Sequence, residues 1–404
     1  MRSFLLALTL IFLSQASFEC TTAVISGKAT RDGRPLLWKH RDSESFNNKM
    51  VFFKGRVYNF VGLVNSQDGK KEVWGGTNSE GFSIINSASY NLKPLDDKTE
   101  KIDQEGVLMY LALENCATVQ DFQNFLDTLK KPLGVESNFG IIDAHGGAAY
   151  FEVDNFHFKK YDANDPLVAP NGYLIRTNFS FSGRENEGKG YNRQLTANKI
   201  IEDAYNGKNL TPYFFLDEAS LCLKHELTKT DLSQEFQRNT LPNRLYPLAD
   251  FILRYISSST ILVQGVKQGE SPLLVTTWVK LGFQPTSVSV PIWLGTADDM
   301  PSILTAGGKE NAELCDKSLM LKKECFPFKK WAEGESYVYL EKLGNKDGSG
   351  YMQITADFDK EFITRAQEII SRWYKQGFKG EESKDFYKET DKQVRIFYKE
   401  NFEI

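Results

Sequence analysis

Short apolar and β-branched runs, joined by clusters of turn-forming residues, recur along most of this chain and restrict it to an architecture built on antiparallel hairpins. Thr21 to Ser26 and Pro35 to His40 read as two strands joined at Arg31-Asp32-Gly33. "VWGGTNSEGFSIINSASYN" reads as strand, tight turn at Asn78-Ser79-Glu80-Gly81, and strand. In "SNFGIIDAHGGAAYFEVDN" the runs on either side of His145-Gly146-Gly147 are almost continuously apolar, which predicts strands covered on both faces. "SSSTILVQGV", "PLLVTTWVKLG" and "SVSVPIWLG" extend a large antiparallel sheet, and the helical pattern from Glu105 to Lys130 covers it. A second amphipathic helix begins in "GKGYNRQLTANKIIEDAY", and the charged stretch from Asp357 to Tyr398 reads as helix with solvated faces.

At 404 residues and 41% hydrophobic content the chain can bury a large core. A net charge of −4, with no long run of one sign, gives no electrostatic reason to expect nucleic acid. A small molecule or short peptide is the better substrate class. Metal-ligand spacings, phosphate-binding glycine loops and internal repeats are all missing from the sequence, so no cofactor or metal is inferred.

Arg2, the apolar run Phe4 to Leu13 and then Ser14-Gln15-Ala16 follow the order of a secretory signal, with cleavage expected after Ala16. The run is too short to span a bilayer, and no later stretch reads as a membrane helix. A secreted or periplasmic protein is therefore expected. Of five cysteines, Cys315 and Cys325 are the guessed disulfide, and Cys116 and Cys222 sit on helix-like patterns as buried small hydrophobes. Cys20 is left over, just beyond the leader and at the head of the first hairpin. Lipid attachment there is disfavoured by Ser17-Phe18-Glu19, which puts a bulky acid directly before the cysteine.

"CTT", then "GKATRDG", then "LLWKHRD" resembles the opening of the cysteine N-terminal-nucleophile hydrolases. One branch of that family holds penicillin V acylase, bile salt hydrolase, acid ceramidase and isopenicillin N acyltransferase. The other holds the cysteine dipeptidases, whose spacing from cysteine to aspartate looks like that from Cys20 to Asp42. The resemblance implies a four-layer αββα sandwich of two stacked antiparallel sheets, an α+β fold, with the nucleophile on an edge strand. It also implies that a short propeptide, residues 17 to 19, is removed so that Cys20 becomes the chain terminus. The chemistry is self-sufficient: a terminal amine with a pKa near ~7.7 can take the proton of its own thiol, so no histidine is needed.

The same resemblance assigns the rest of the site. Asp42 would hold the terminal amine. The family places an arginine three residues before this aspartate, where this chain has Lys39; either Lys39 fills the site or Arg41 does on a shifted strand. Strand alternation sets Lys39 and Arg41 on one face and His40 and Asp42 on the other. Asn86 interrupts an apolar run and is chosen over Asn91 as the amide facing the acyl oxygen. Asn178, after a strand ending in Thr-Asn, matches the second functional asparagine and an oxyanion donor, and Arg193, near a helix start, would support the site.

Residues 20 to 307 are expected to form this hydrolase core, with 308 to 404 packed on it as an extension of strands and helices. The expected activity is hydrolysis of a linear N-acyl amide, with acyl transfer sharing its first half. A dipeptidase is the nearest alternative, and a non-catalytic, lipid-anchored ligand-binding protein is the alternative from another class. The acyl group, the amine and the oligomeric state, a homo-oligomer included, are not encoded by any motif.

Overall fold

A computed structural model describes residues 19–67, 71–238, 244–307, 310–327 and 336–404. The expected leader, and residues 17 and 18 of the expected propeptide, lie outside the described residues. Two antiparallel sheets carry the fold. The first has six strands in the order β10-β1-β2-β14-β15-β16. These are β1 Glu19–Ile25, β2 Leu36–Asp42, β10 Tyr173–Arg176, β14 Ser257–Gln264, β15 Thr276–Leu281 and β16 Val290–Trp293. The second runs in chain order from β3 to β9. Its strands are β3 Asn48–Phe53, β4 Phe60–Asn65, β5 Gly75–Asn78, β6 Ser83–Ala88, β7 Ser137–Ile142, β8 Ala148–Val153 and β9 Phe158–Asp162. Two small ribbons lie apart, β11 Lys224–His225 with β12 Thr230–Asp231, and β13 Leu245–Pro247 with β17 Tyr337–Tyr339.

The turns follow from local chemistry. Gly33 and Gly81 adopt φ of +74° and +81°, where a side chain would be strained. In the second turn the Asn78 Oδ1 accepts from the backbone N–H groups of Glu80 and Phe82, while its Nδ2 donates to the carbonyls of Leu113 and Cys116. One side chain thus closes the hairpin and ties it to the helix above.

The sheets stack face to face. Tyr150 on β8 donates to Thr22 on β1 at 2.8 Å, and Thr77 on β5 meets Thr277 on β15 at 3.1 Å. Helices α1 (Glu105–Asn115) and α2 (Val119–Thr128) cover the outer face of the seven-stranded sheet, where Phe122 packs on Phe82, Phe139 and Phe151. A capping box between Thr118 and Asp121 starts α2.

The other outer face carries α3 (Tyr191–Asn206), α6 (Tyr351–Gln376) and α7 (Gly380–Phe402). Trp293 at the end of β16 is clamped there by Trp373, Phe386 and Tyr387. Helix α4 (Glu313–Cys325) packs against β15, and the short α5 (Leu340–Leu343) against α4 and α6. The result is the expected four-layer αββα sandwich. Strands β1, β2, β7 and β8 are covered on both sides, and nearly every residue in them is buried.

Two expectations are corrected. Strand β1 is not at an edge, because it lies between β10 and β2. Cys315 and Cys325 are not a disulfide, since all five cysteines are free thiols. Both lie on α4, ten residues apart, which is roughly 15 Å along a helix against the roughly 6 Å between Cα atoms that a disulfide allows. Burial pushes the thiols of Cys222 and Cys315 up to about 11 and that of Cys116 up to about 12, which keeps them protonated core groups.

Candidate active site

The register of the first hairpin builds the site. Glu19 lies opposite Asp42, Cys20 opposite Arg41 and Thr22 opposite Lys39. Alternation then divides them as the sequence predicts. Cys20, Lys39 and Arg41 face the second sheet, while Glu19, Thr21, His40 and Asp42 face the helices. The Cys20 side chain is buried, with its Sγ 4.0 Å from the Asp42 carbonyl.

On the inter-sheet face Lys39 donates from Nζ to the Asn86 Oδ1 at 2.7 Å and to the Trp74 carbonyl at 2.8 Å. Burial lowers the lysine to about 8; the neighbouring Cys20 works in the opposite direction, and Arg41 adds to the lowering. Arg41 turns to a different set of partners, the carboxamide oxygens of Asn48 and Asn65 and the hydroxyl of Ser43. Of the two cations, it is Lys39 that meets Asn86. Asn86 Nδ2 donates to the Ser137 hydroxyl at 3.2 Å. Asn91 is elsewhere, holding the loop after β10 through the Ser180 and Arg184 carbonyls.

The backbone of Cys20 is gripped from both ends. Its nitrogen donates to the Asn178 Oδ1 at 2.9 Å, and its carbonyl accepts from Arg193 Nη1 at 2.7 Å. Arg193 Nη2 also reaches the same Asn178 oxygen at 2.8 Å. The Asn178 Nδ2 is spent on the Ala88 carbonyl at 2.9 Å. Its carboxamide is thus turned oxygen-first toward Cys20, the reverse of the orientation expected of an oxyanion donor. Arg193 sits in the first turn of α3 and is buried, not a surface helix residue. Gly190, just before the helix, makes room for it: at φ +85°, a Cβ there would fall 2.5 Å from Arg193 Nη2.

Asp42 is fully buried, and its carboxylate does not hold the Cys20 nitrogen. Arg254 takes Oδ2 through Nε at 3.0 Å and Nη2 at 2.6 Å, and Ser257 donates to Oδ1 at 2.8 Å. Burial alone would raise this carboxyl; Arg254 and then His40 outweigh it and hold Asp42 well below the usual carboxylate range. Arg254 is the residue that sequence reasoning missed. It stands alone ahead of the run "YISSSTILVQ", with no spacing to mark it, and meets Asp42 only because β14 pairs with β2.

Glu19 completes the cluster on the helix-facing side. Its carboxylate lies 2.8 Å from Arg254 Nη1, 3.4 Å from Arg193 Nη2 and 3.9 Å from Lys189 Nζ. Among the described residues no group of three or more His, Cys, Asp or Glu could hold a metal ion, and no helix is long and apolar enough to cross a membrane.

No protein-family model matches the chain, and no curated protein sequence matches it. Solved structures are similar to the chain in fold, at low sequence identity. A Caenorhabditis elegans ortholog of N-acylethanolamine-hydrolyzing acid amidase is 16% identical with a TM-score of 0.40, over 63% of this chain and 93% of that chain. A variant of conjugated bile acid hydrolase from Clostridium perfringens is 13% identical with a TM-score of 0.40, over 68% and 93%. Penicillin V acylase from Agrobacterium tumefaciens is 11% identical with a TM-score of 0.36, over 72% and 89%. The chemistry of the site rests on this chain's own geometry.

Proposed function

We propose that the protein is a secreted amidase whose nucleophile is the Cys20 thiol, active once the Glu19–Cys20 bond has been cut. The carrying observation is the grip on Cys20: Asn178 and Arg193 fix its nitrogen and carbonyl while its thiol faces the inter-sheet layer that holds Lys39 and Asn86. A nucleophile held in this way needs little reorganisation before attack.

In the processed chain the free amine occupies the position beside the Asn178 oxygen and takes the thiol proton, directly or through one water. The thiolate adds to the substrate carbonyl. Lys39 supplies positive charge on the thiol's side, and the Asn86 Nδ2, which keeps a second N–H beside the one given to Ser137, is the side-chain donor for the oxyanion, a role worth about 3 kcal/mol at comparable sites. Asn178 positions the amine instead. The amine then protonates the leaving nitrogen, and water clears the thioester; a second amine in place of water would give acyl transfer. Asp42 and Arg254 form the buried pair that fixes the end of β2 beneath the nucleophile.

Intact-mass measurement combined with turnover of N-acyl amides and dipeptides tests this reading. The expected result is a mature chain beginning at Cys20, active on N-acyl amides and inactive as Cys20→Ala. A chain that begins before Cys20 and still hydrolyses amides overturns it, and turnover of dipeptides alone moves the assignment to a dipeptidase.

A further inference from the structure

The residue that departs on processing is the one whose side chain fills the most strongly cationic corner of the site. Three cations converge on the Glu19 carboxylate, and two of them, Arg193 and Arg254, are buried. Among the described residues one other carboxylate, Asp42, shares Arg254. Removal of Glu19 takes a negative charge out of this corner and adds the positive charge of a new amine. Two buried guanidiniums facing a vacated carboxylate position are costly unless an anion replaces it, and their planar donor arrays favour a carboxylate.

The covalent step says which part of a substrate that anion belongs to. In self-cleavage the Cys20 Sγ bonds to the Glu19 carbonyl carbon, the bond from that carbon to the Cys20 nitrogen breaks, and the nitrogen receives the thiol proton. Water then splits the thioester, releasing the Glu19 carboxylic acid and restoring the thiol. The acyl group on sulfur in that first cycle is the glutamyl residue itself. In turnover a substrate acyl group forms the same thioester at the same atom.

We infer that the mature enzyme prefers amides whose acyl group carries a carboxylate at the reach of a glutamate side chain, received by Arg254, Arg193 and Lys189. This rests on the amidase reading above and deepens it by naming the acyl class. The geometry does not give the carboxylate to the leaving amine, because Glu19 lies on the acyl side of the bond that is cut.

The processed protein would be assayed with the 4-nitroanilides of glutaric acid (as the monoamide) and of pentanoic acid, which match in length and differ in the terminal carboxylate. We expect kcat/KM for the glutaryl amide to exceed that for the pentanoyl amide at least tenfold, mainly through KM, and the ratio to fall severalfold in Lys189→Met. Equal turnover of both overturns the inference and leaves the amidase reading standing, as does a preference for a carboxylate on the leaving amine. Thermal melting decides the point without turnover. Millimolar glutarate should raise the melting temperature of the processed protein and pentanoate should not; an equal response to both overturns the subsite even if no amide is hydrolysed, the outcome that would sink the amidase reading separately.

Discussion

Lys39 and Asp42, three positions apart on one strand, bend the pH dependence of stability in opposite ranges. An unfolded lysine titrates near about 10.4, whereas burial lowers Lys39 to about 8. Between those values the unfolded chain binds a proton that the folded chain has released, so stability should rise with pH across the window, by on the order of 3 kcal/mol. Denaturant melts at pH 8 and pH 10 should show this gain in the parent protein and its loss in Lys39→Met. Asp42 acts at the acid end. Its folded pKa is depressed, so its contribution is complete above the unfolded value of about 3.9 and is lost as pH falls below it. Arg254→Leu leaves that carboxylate buried beside Ser257 and His40 but without its guanidinium partner, with an expected cost of about 3 to 5 kcal/mol in equilibrium unfolding at pH 7. The placement of Cys20, Lys39 and Asp42 on one hairpin was legible because turn and strand pattern are local. Arg254 was not: it lies 212 residues beyond its partner, and only strand pairing brings them together.

At the level of elements, the attachment of α6 to the first sheet has a polar centre. Lys280 on β15 and Asp359 on α6 form a fully buried pair at 2.7 Å, and Asp359 also accepts from the backbone and hydroxyl of Ser289. Asp359→Ala should cost about 3 to 5 kcal/mol, read as a lower midpoint in chemical denaturation, while Lys280→Met with Asp359→Leu should recover much of it. The charged composition of this helix hid its buried stripe of Phe362, Ile363, Ala366, Ile370 and Trp373, spaced to one face. The hairpins were readable from turn residues and alternation, which are local. The place of β1 within the sheet was not, because β10 is a four-residue strand whose partner lies about 150 residues earlier.

Across the whole molecule, the two long C-terminal helices behave as part of the sandwich. Their aromatic residues belong to the same continuous apolar cluster as the strands of both sheets. A chain ended after Gly344 would uncover Trp293 and the outer face of β15 and β16. We expect it to lose cooperative thermal unfolding and to bind a hydrophobic dye such as ANS, where the full chain does not. The layer order was legible from the succession of strand and helix patterns; how tightly the last layer closes was not, since amphipathic helices on a sheet and helices in solvent share much of their composition.

Glu19 is already a member of β1, laddered to β2 opposite Asp42, with the bond to Cys20 inside the paired strand. The cut proposed there is therefore made in a finished sheet, by groups that only the finished sheet brings together. Maturation on this reading reports on folding: the proportion of long to short chain on a denaturing gel counts molecules that never reached the native state, and a destabilising substitution far from Cys20 would announce itself as retained precursor.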